Sequence, residues 1–309
     1  MSVFKNIGMN GYFKRYGYKF GFSRGLFMAN SFHIVKDYEM KKILYYHKTK
    51  KYLKRKFLKY KDKTPEGLKF NEVKCNNPIW IYWKQGFDKA PDIVKVCVKS
   101  VKKNCNQEII LLDDSNLKDY LEFPKYIIDK TKKGFISAAA FSDLVRLSLL
   151  EHFGGTWIDA TVFLSGNLPE YITNSELFMF QDSFGLIENP AKIASWFIHS
   201  KPHNVIIKES RNMFFEYFKK QNHVIEYLLV YIFLGISFDI HKDEYSKMPY
   251  VNSEYCRMLF NNLNNEFDLN KYKFITELTK INKLSYKLDD AVYKNNNNFY
   301  NYLISEVEI

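Results

Sequence analysis

Residues 137–165 read SAAAFSDLVRLSLLEHFGGTWIDATVFLS, an order that few folds accommodate. Residues 137–152 read as the clearest helix in the chain, with Ala140, Leu144, Leu147 and Leu150 recurring at helical spacing. Gly154-Gly155 stops the helix and allows a tight turn. Residues 156–164 then return to strand character and deliver Asp159 near the carboxyl end of the strand. A helix running through a glycine pair into a strand predicts an α/β layer, whose ligands bind at the carboxyl edge of its strands.

The flanking text agrees. Strands are expected at 79–83 and 108–112, separated by a helix over 92–103. Asp113-Asp114-Ser115 suits the N-cap of a short helix. A strand over 177–180 follows the central segment, after which the pattern is mostly helical, over 204–220, 223–235 and 253–265. The alternation predicts a sheet that is at least partly parallel. Asn295 to Asn298 form a polar low-complexity stretch with nothing to pack, so 291–309 is read as a polar tail.

Charge divides the chain more sharply than its total suggests. The net charge is +12, but residues 1–70 hold 18 Lys and Arg against 4 Asp and Glu, while the remainder holds 28 against 30. The basicity therefore belongs to an N-terminal arm, 1–70, preceding a nearly neutral body over 71–290. Within the arm a helix is expected over 37–61, with Met40, Ile43, Leu44, Leu53 and Phe57 on one loose face. Such a basic, aromatic-rich helix suits an anionic membrane surface, or serves as a solvated extension. Nucleic acid is not the expected partner, because no recognition motif accompanies the charge. No run reaches the roughly 18–20 apolar residues of a membrane span, the longest candidate being 227–238, and no signal-peptide pattern is present. The expected compartment is the cytoplasm. Cys75, Cys97, Cys105 and Cys256 fit it, being scattered and without a CxxC pair.

Three residues apart on the central helix, Asp143 and Arg146 share a face. With Asp159 they can hold a metal–phosphate unit and sugar hydroxyls, or they can be an ordinary surface ion pair and a turn residue. Spacing leaves both readings open. The wording SDLVRLSLLEHFGGTWIDATVFLS resembles glycosyltransferases of family 32 and is most similar to the capsular polysaccharide synthesis proteins. The resemblance extends to NPIWIYWKQGFDKAPDIVKVCVKS (Asn77 to Ser100), SWFIHSKPHNVII (Ser195 to Ile207) and NKLSYK (Asn282 to Lys287), covering about residues 77–287 with the motifs in order.

The resemblance implies a GT-A-type, Rossmann-like nucleotide-binding domain with a helical C-terminal part. It also implies retaining transfer of a hexose, galactose or glucose, from a uridine diphosphate (UDP) sugar to a lipid-linked oligosaccharide. Ile81 and Trp83 would sit by the base, where an indole suits stacking. Asp143 and Arg146 would hold donor-sugar hydroxyls. Asp159 matches the first acid of an Asp-x-Asp motif that binds ribose and manganese or magnesium. Here the motif departs, reading Asp159-Ala160-Thr161. Asn282 and Ser285 would then add oxygens for the cation, and Lys283 and Lys287 would neutralise phosphate. Asp182 is the candidate for contact with the acceptor or the reacting sugar, with Glu226 a weaker one. The altered motif also admits a non-catalytic member that binds a sugar nucleotide or serves as a scaffold.

Overall fold

The computed structural model describes residues 3–30, 37–181 and 193–308. It begins with α1 (Val3–Asn30), which kinks at Gly8 and Gly17, where φ is 62° and 64°. At Gly17 a Cβ would come within 2.6 Å of the His223 ring, so backbone and neighbour both demand glycine. α2 (Tyr38–Phe57) is capped by Asp37, whose carboxylate accepts the Met40 N–H at 2.8 Å. Ile43, Leu53 and Phe57 are buried as the spacing predicts. Leu44, expected on the same face, is exposed, because one residue turns the helix by about 100°.

The N-terminal segment is not an arm. Tyr12, Tyr16, Phe20, Tyr45, Leu53 and Phe57 share one hydrophobic cluster with Tyr217 and Phe233 from the C-terminal half. Its charges are also engaged. Arg24 pairs with Glu226 at 3.0 Å, the two side chains being 5% and 3% exposed. Lys50 reaches Asp239 at 2.8 Å, and Lys61 and Lys63 reach Glu209 and Glu216 at 2.7 Å each. The basic segment thus covers carboxylates of the body, which accounts for part of the uneven charge along the chain.

The middle of the chain builds the sheet. β1 (Lys69–Phe70) precedes β2 (Ile79–Tyr82), α3 (Asp92–Asn104), β3 (Ile109–Leu112), β4 (Leu121–Glu122), α4 (Lys125–Lys132) and α5 (Ala138–Phe153). Then come β5 (Gly155–Ile158), β6 (Val162–Leu164), α6 (Glu170–Thr173), β7 (Leu177–Gln181) and β8 (Ile193–Ser200). The five-stranded sheet has the order β3-β2-β5-β8-β7, while β1 and β4 pair by themselves. β2 runs parallel to β3 and β5, and β8 runs antiparallel to β5 and β7. Alternation along β2 sends Trp80 and Tyr82 into one hydrophobic cluster and Ile79 and Ile81 into the other, so the sheet is covered on both faces.

Two expectations are corrected here. The strand foreseen over 156–164 is two strands in two sheets. The Asp159 N–H donates to the Trp196 carbonyl at 2.9 Å as the last bond to β8, and the Val162 N–H donates to the Asp159 carbonyl at 2.9 Å, a turn that carries the chain out of the main sheet. β8 went unread. Its residues, IASWFIHS, are buried on both faces and show no alternation to detect.

The helical end comprises α7 (Val205–Lys220), α8 (Leu229–Ile240), α9 (Lys242–Lys247), α10 (Met258–Asn262) and α11 (Leu269–Leu278), followed by β9 (Ile281–Lys283), α12 (Asp290–Lys294) and α13 (Phe299–Glu308). The helix expected from 223 starts only at Leu229, and that expected over 253–265 is a 3-10 turn, Tyr255–Arg257, leading into α10. The tail over 291–309 packs after all, with Phe299 and Leu303 fully buried. One of its asparagines, Asn298, caps α13. The Asn298 side chain accepts the Asn301 N–H at 2.9 Å and donates to the Val292 carbonyl at 2.7 Å.

Candidate active site

α5 sets the site. Ser137 caps it by accepting the Ala140 N–H at 3.2 Å, and Leu144, Leu147, Leu149 and Leu150 are fully buried. Each such leucine contributes about 1.5–3 kcal/mol of burial, so the helix is fixed in the core rather than laid on the surface. Gly154 ends it at φ 68°, with its N–H donating to the Leu150 carbonyl at 3.0 Å. Gly155 has φ 93°, and a Cβ there would lie 2.2 Å from the Pro78 carbonyl oxygen. This close approach lets β5 run directly beside β2.

Arg146 is the hub of the polar network, its side chain 6% exposed. It contacts Asp143 at 3.1 Å and Asp159 at 2.9 Å. It also donates to the Ser195 carbonyl at 2.5 Å and to the Ser195 hydroxyl, and it lies 4.9 Å above the Trp157 ring. The indole N–H of Trp157 donates to Asp159 at 2.9 Å. Lys283 completes the set, 2.9 Å from the other Asp159 oxygen and 2.6 Å from the Thr161 hydroxyl. Asp143 and Arg146 are therefore not a solvated surface pair.

Asp143, Arg146, Asp159, Thr161, Ser195 and Lys283 line a cleft of about 570 Å³ at the carboxyl ends of β2 and β5. Trp83 lies at its edge, edge-to-face with Tyr286 at 5.1 Å. Ser285 and Lys287 also line it, the Lys287 ammonium resting 5.6 Å from the Tyr286 ring. Of the other expected residues, Ile81 is buried in the core beneath, because strand alternation turns it to the opposite face from Tyr82. Asn282 is likewise turned away by alternation on β9. It is fully buried facing Ser165, and its Oδ1 has no partner among the described residues. Glu226 is held by Arg24 outside the cleft. Asp182 lies outside the described residues. A hollow of about 650 Å³ along α2, walled by Lys51, Lys54, Arg55 and Lys59, contains none of the expected site residues.

Sequence reasoning missed Arg15, Lys84, Lys89, Tyr227, Tyr231 and Arg257, all of which line the cleft. Lys84 and Lys89 lie within the quoted stretch Asn77 to Ser100, whereas nothing local in the sequence marks the other four. Arg15 reaches the cleft from α1 and lies 4.7 Å over the Tyr227 ring. Ser195 and Tyr286 sit inside motifs that the resemblance had picked out. The lining holds seven Lys and Arg against two Asp, a balance that favours an anionic ligand.

Burial, opposed by Arg146 and reinforced by Asp159, pushes the Asp143 carboxyl up to about 7. Burial also works to raise Asp159, but Lys283 and Arg146 together outweigh it and hold that carboxyl below its ordinary value. The two acids are thus pushed apart, one titrating near neutrality and the other ionised. Burial lifts the Tyr231 phenol to about 12, against the pull of Ser195 and Arg146.

The oxygens expected to hold manganese or magnesium do not form a suitable donor set. Both Asp159 oxygens are already taken, one of them by an ammonium, and the Thr161 hydroxyl accepts from the same ammonium. Asn282 faces the core, and the Ser285 hydroxyl accepts the Lys287 N–H at 3.0 Å. Among the described residues no group of three or more His, Cys, Asp and Glu side chains comes together. At nucleotide sites such cations are usually held by one or two carboxylates, with waters and substrate phosphates completing the shell, and the single carboxylate of this motif is already paired through both oxygens.

The O-glycosyltransferase braB of Annulohypoxylon truncatum is 26% identical over 140 residues, 42% of this chain and 31% of that protein, so the chain spans about a third of that relative's length. Among solved structures, the PaToxG glycosyltransferase is 13% identical with a TM-score of 0.39, covering 65% of this chain and 80% of that one. The apo-form glycosyltransferase GlyE of Streptococcus pneumoniae is 11% identical with a TM-score of 0.38, covering 76% and 63%. Likenesses at these scores carry no argument about the fold. The match to the family model described as capsular polysaccharide synthesis protein is different in kind, because it runs over residues 27–303 and takes in the α5–β5 unit, β9 and every cleft-lining residue but Arg15. On that extent of match, the chain belongs to the capsular polysaccharide synthesis protein family.

Proposed function

We propose that the chain is a glycosyltransferase of GT-A type that takes its sugar from a nucleoside diphosphate bound in this cleft. The observation that carries the reading is the Asp143–Arg146–Asp159–Lys283 network at the carboxyl edge of a mixed α/β sheet, in a cleft richer in cations than in acids. The base stacks on Trp83, and the diphosphate lies toward Lys283 and Lys287. Asp143 and Arg146 hold hydroxyls of a hexose, galactose or glucose. Membership of a capsule-synthesis family supports a lipid-linked oligosaccharide as acceptor.

Transfer with retention fits such a site. The acceptor hydroxyl oxygen bonds to the anomeric carbon on the face from which the bond to the diphosphate oxygen breaks. The acceptor proton passes to the departing diphosphate. Pre-placed cations stabilise the charge that develops on that leaving group and supply the largest share of the acceleration. Asp143 and Asp159, both held by Arg146, orient the donor rather than attack it.

Peripheral attachment to an anionic membrane would bring the enzyme to its acceptor. Tyr18, Phe22 and Leu26 recur every four residues along α1 and are exposed, and Lys19 lies on the same helix. No helix among the described residues is long and apolar enough to cross a membrane.

The activity is tested by incubating the protein with UDP-glucose or UDP-galactose and an extract of lipid-linked oligosaccharide, and measuring released UDP and labelled lipid. The expected result is transfer with one donor, reduced at least about a hundredfold in Arg146→Ala. Donor turnover unaffected by Arg146→Ala would remove this cleft as the active site.

A further inference from the structure

We propose that Lys283 occupies the place of the divalent cation, so that the cleft binds a nucleoside diphosphate through side-chain cations alone and needs no metal. The inference rests on the reading of the cleft as a nucleotide-sugar site.

In Asp159-Ala160-Thr161 the first and third side chains carry the oxygens that face the cleft. A single ammonium bridges them, 2.9 Å from Asp159 Oδ2 and 2.6 Å from Thr161 Oγ1. The bridge is rooted in the backbone. β9 pairs antiparallel with β6, placing Lys283 opposite Val162, and the Leu284 N–H donates to the Thr161 carbonyl at 2.8 Å. The lysine is therefore delivered to the turn by strand register, and its side chain is only 13% exposed.

Charge points the same way. Asp159 faces both Arg146 and Lys283, so one carboxylate stands between two cations before any ligand arrives. A divalent ion brought to this point would meet a net positive charge, where a pair of carboxylates would have offered two negative ones. Threonine in the third position is consistent with a lysine partner, since its hydroxyl accepts from an ammonium without adding charge. An ammonium has three N–H bonds. Two are engaged by Asp159 and Thr161, which leaves one for a diphosphate oxygen. Among the described residues no carboxylate pairs with Arg15, Lys89, Arg257 or Lys287, which line the same cleft and supply further positive charge.

Calorimetric titration of the full chain with UDP, in EDTA and again in manganese, tests the proposal. The expected result is an affinity in EDTA within about threefold of that in manganese. Lys283→Met, folded by circular dichroism, is expected to lose at least about tenfold in both buffers. The paired variant Lys283→Met with Thr161→Asp, which restores a second carboxylate, is expected to become metal-dependent and bind UDP at least about tenfold more tightly in manganese. Wild-type binding seen only with manganese would overturn the inference and leave the proposed function standing. Unchanged binding by folded Lys283→Met would also overturn it. Absence of UDP binding in both buffers would overturn the proposed function itself, and the inference with it.

Discussion

Asp143→Asn isolates what it costs to keep a carboxyl inside this cleft. An unperturbed aspartate titrates near 3.9, whereas burial places Asp143 at about 7, even with Arg146 at 3.1 Å pulling it down. Between those values the folded protein holds one proton more than the unfolded chain, so stability falls as pH rises. The loss begins near the unfolded value and is complete once pH passes the folded one. A shift of about three units corresponds to ~4 kcal/mol in full, trimmed because the side chain keeps 16% of its surface open to the cleft. Over the practical window from about pH 5.5 to about pH 8.5 the change is ~2 kcal/mol. Asparagine keeps an oxygen for Arg146 and does not titrate. Urea unfolding of both proteins at the two pH values is expected to show Asp143→Asn gaining ~2 kcal/mol on the wild type toward the alkaline end, groups common to both cancelling in the difference. A difference constant within about 0.5 kcal/mol would refute the account of Asp143 as a carboxyl kept near neutrality by burial.

Other outcomes follow from single contacts. Arg24→Met leaves Glu226 buried and unpaired and is expected to cost ~3–5 kcal/mol in urea unfolding, part of which Arg24→Met with Glu226→Leu recovers; an unchanged midpoint would mean that α1 does not dock as described. Gly155→Ala is expected to lower the melting temperature by several degrees or abolish soluble expression, because the added Cβ meets the Pro78 carbonyl at 2.2 Å and the backbone is left-handed. Trp83→Ala is expected to weaken UDP binding by ~1–3 kcal/mol, read by calorimetry, with Trp83→Phe losing less; equal affinities would place the base elsewhere in the cleft.

Residues 137–165 show how far the sequence reached. Leucine spacing and a glycine pair are local signals, and they located α5, the turn and the start of β5 within a residue or two. Spacing put Asp143 and Arg146 on one helix face and Asp159 at the end of the next strand but left an ordinary ion pair and a turn residue equally open, and only the family resemblance assigned all three to one site. Local signals stopped at β8, whose double-sided burial erases the period-2 pattern, and at 156–164, where a turn closed by the Val162 N–H on the Asp159 carbonyl splits an apparently single strand. They misjudged the N-terminal 70 residues, because the partners of Arg24, Lys61 and Lys63 lie some 150 to 200 positions away.

By itself, then, the sequence determined the fold class, the family and the three residues at the heart of the cleft, since each depends on order along the chain. Only the tertiary structure decided what those residues face. Arg15 arrives from α1, and Ser195 from β8 accepts from the buried Arg146. Lys283 arrives from β9, 124 positions beyond Asp159, and its ammonium lies where the motif alone suggested a metal. Strand register fixed that last contact, and register between strands so far apart leaves no period in the sequence to read.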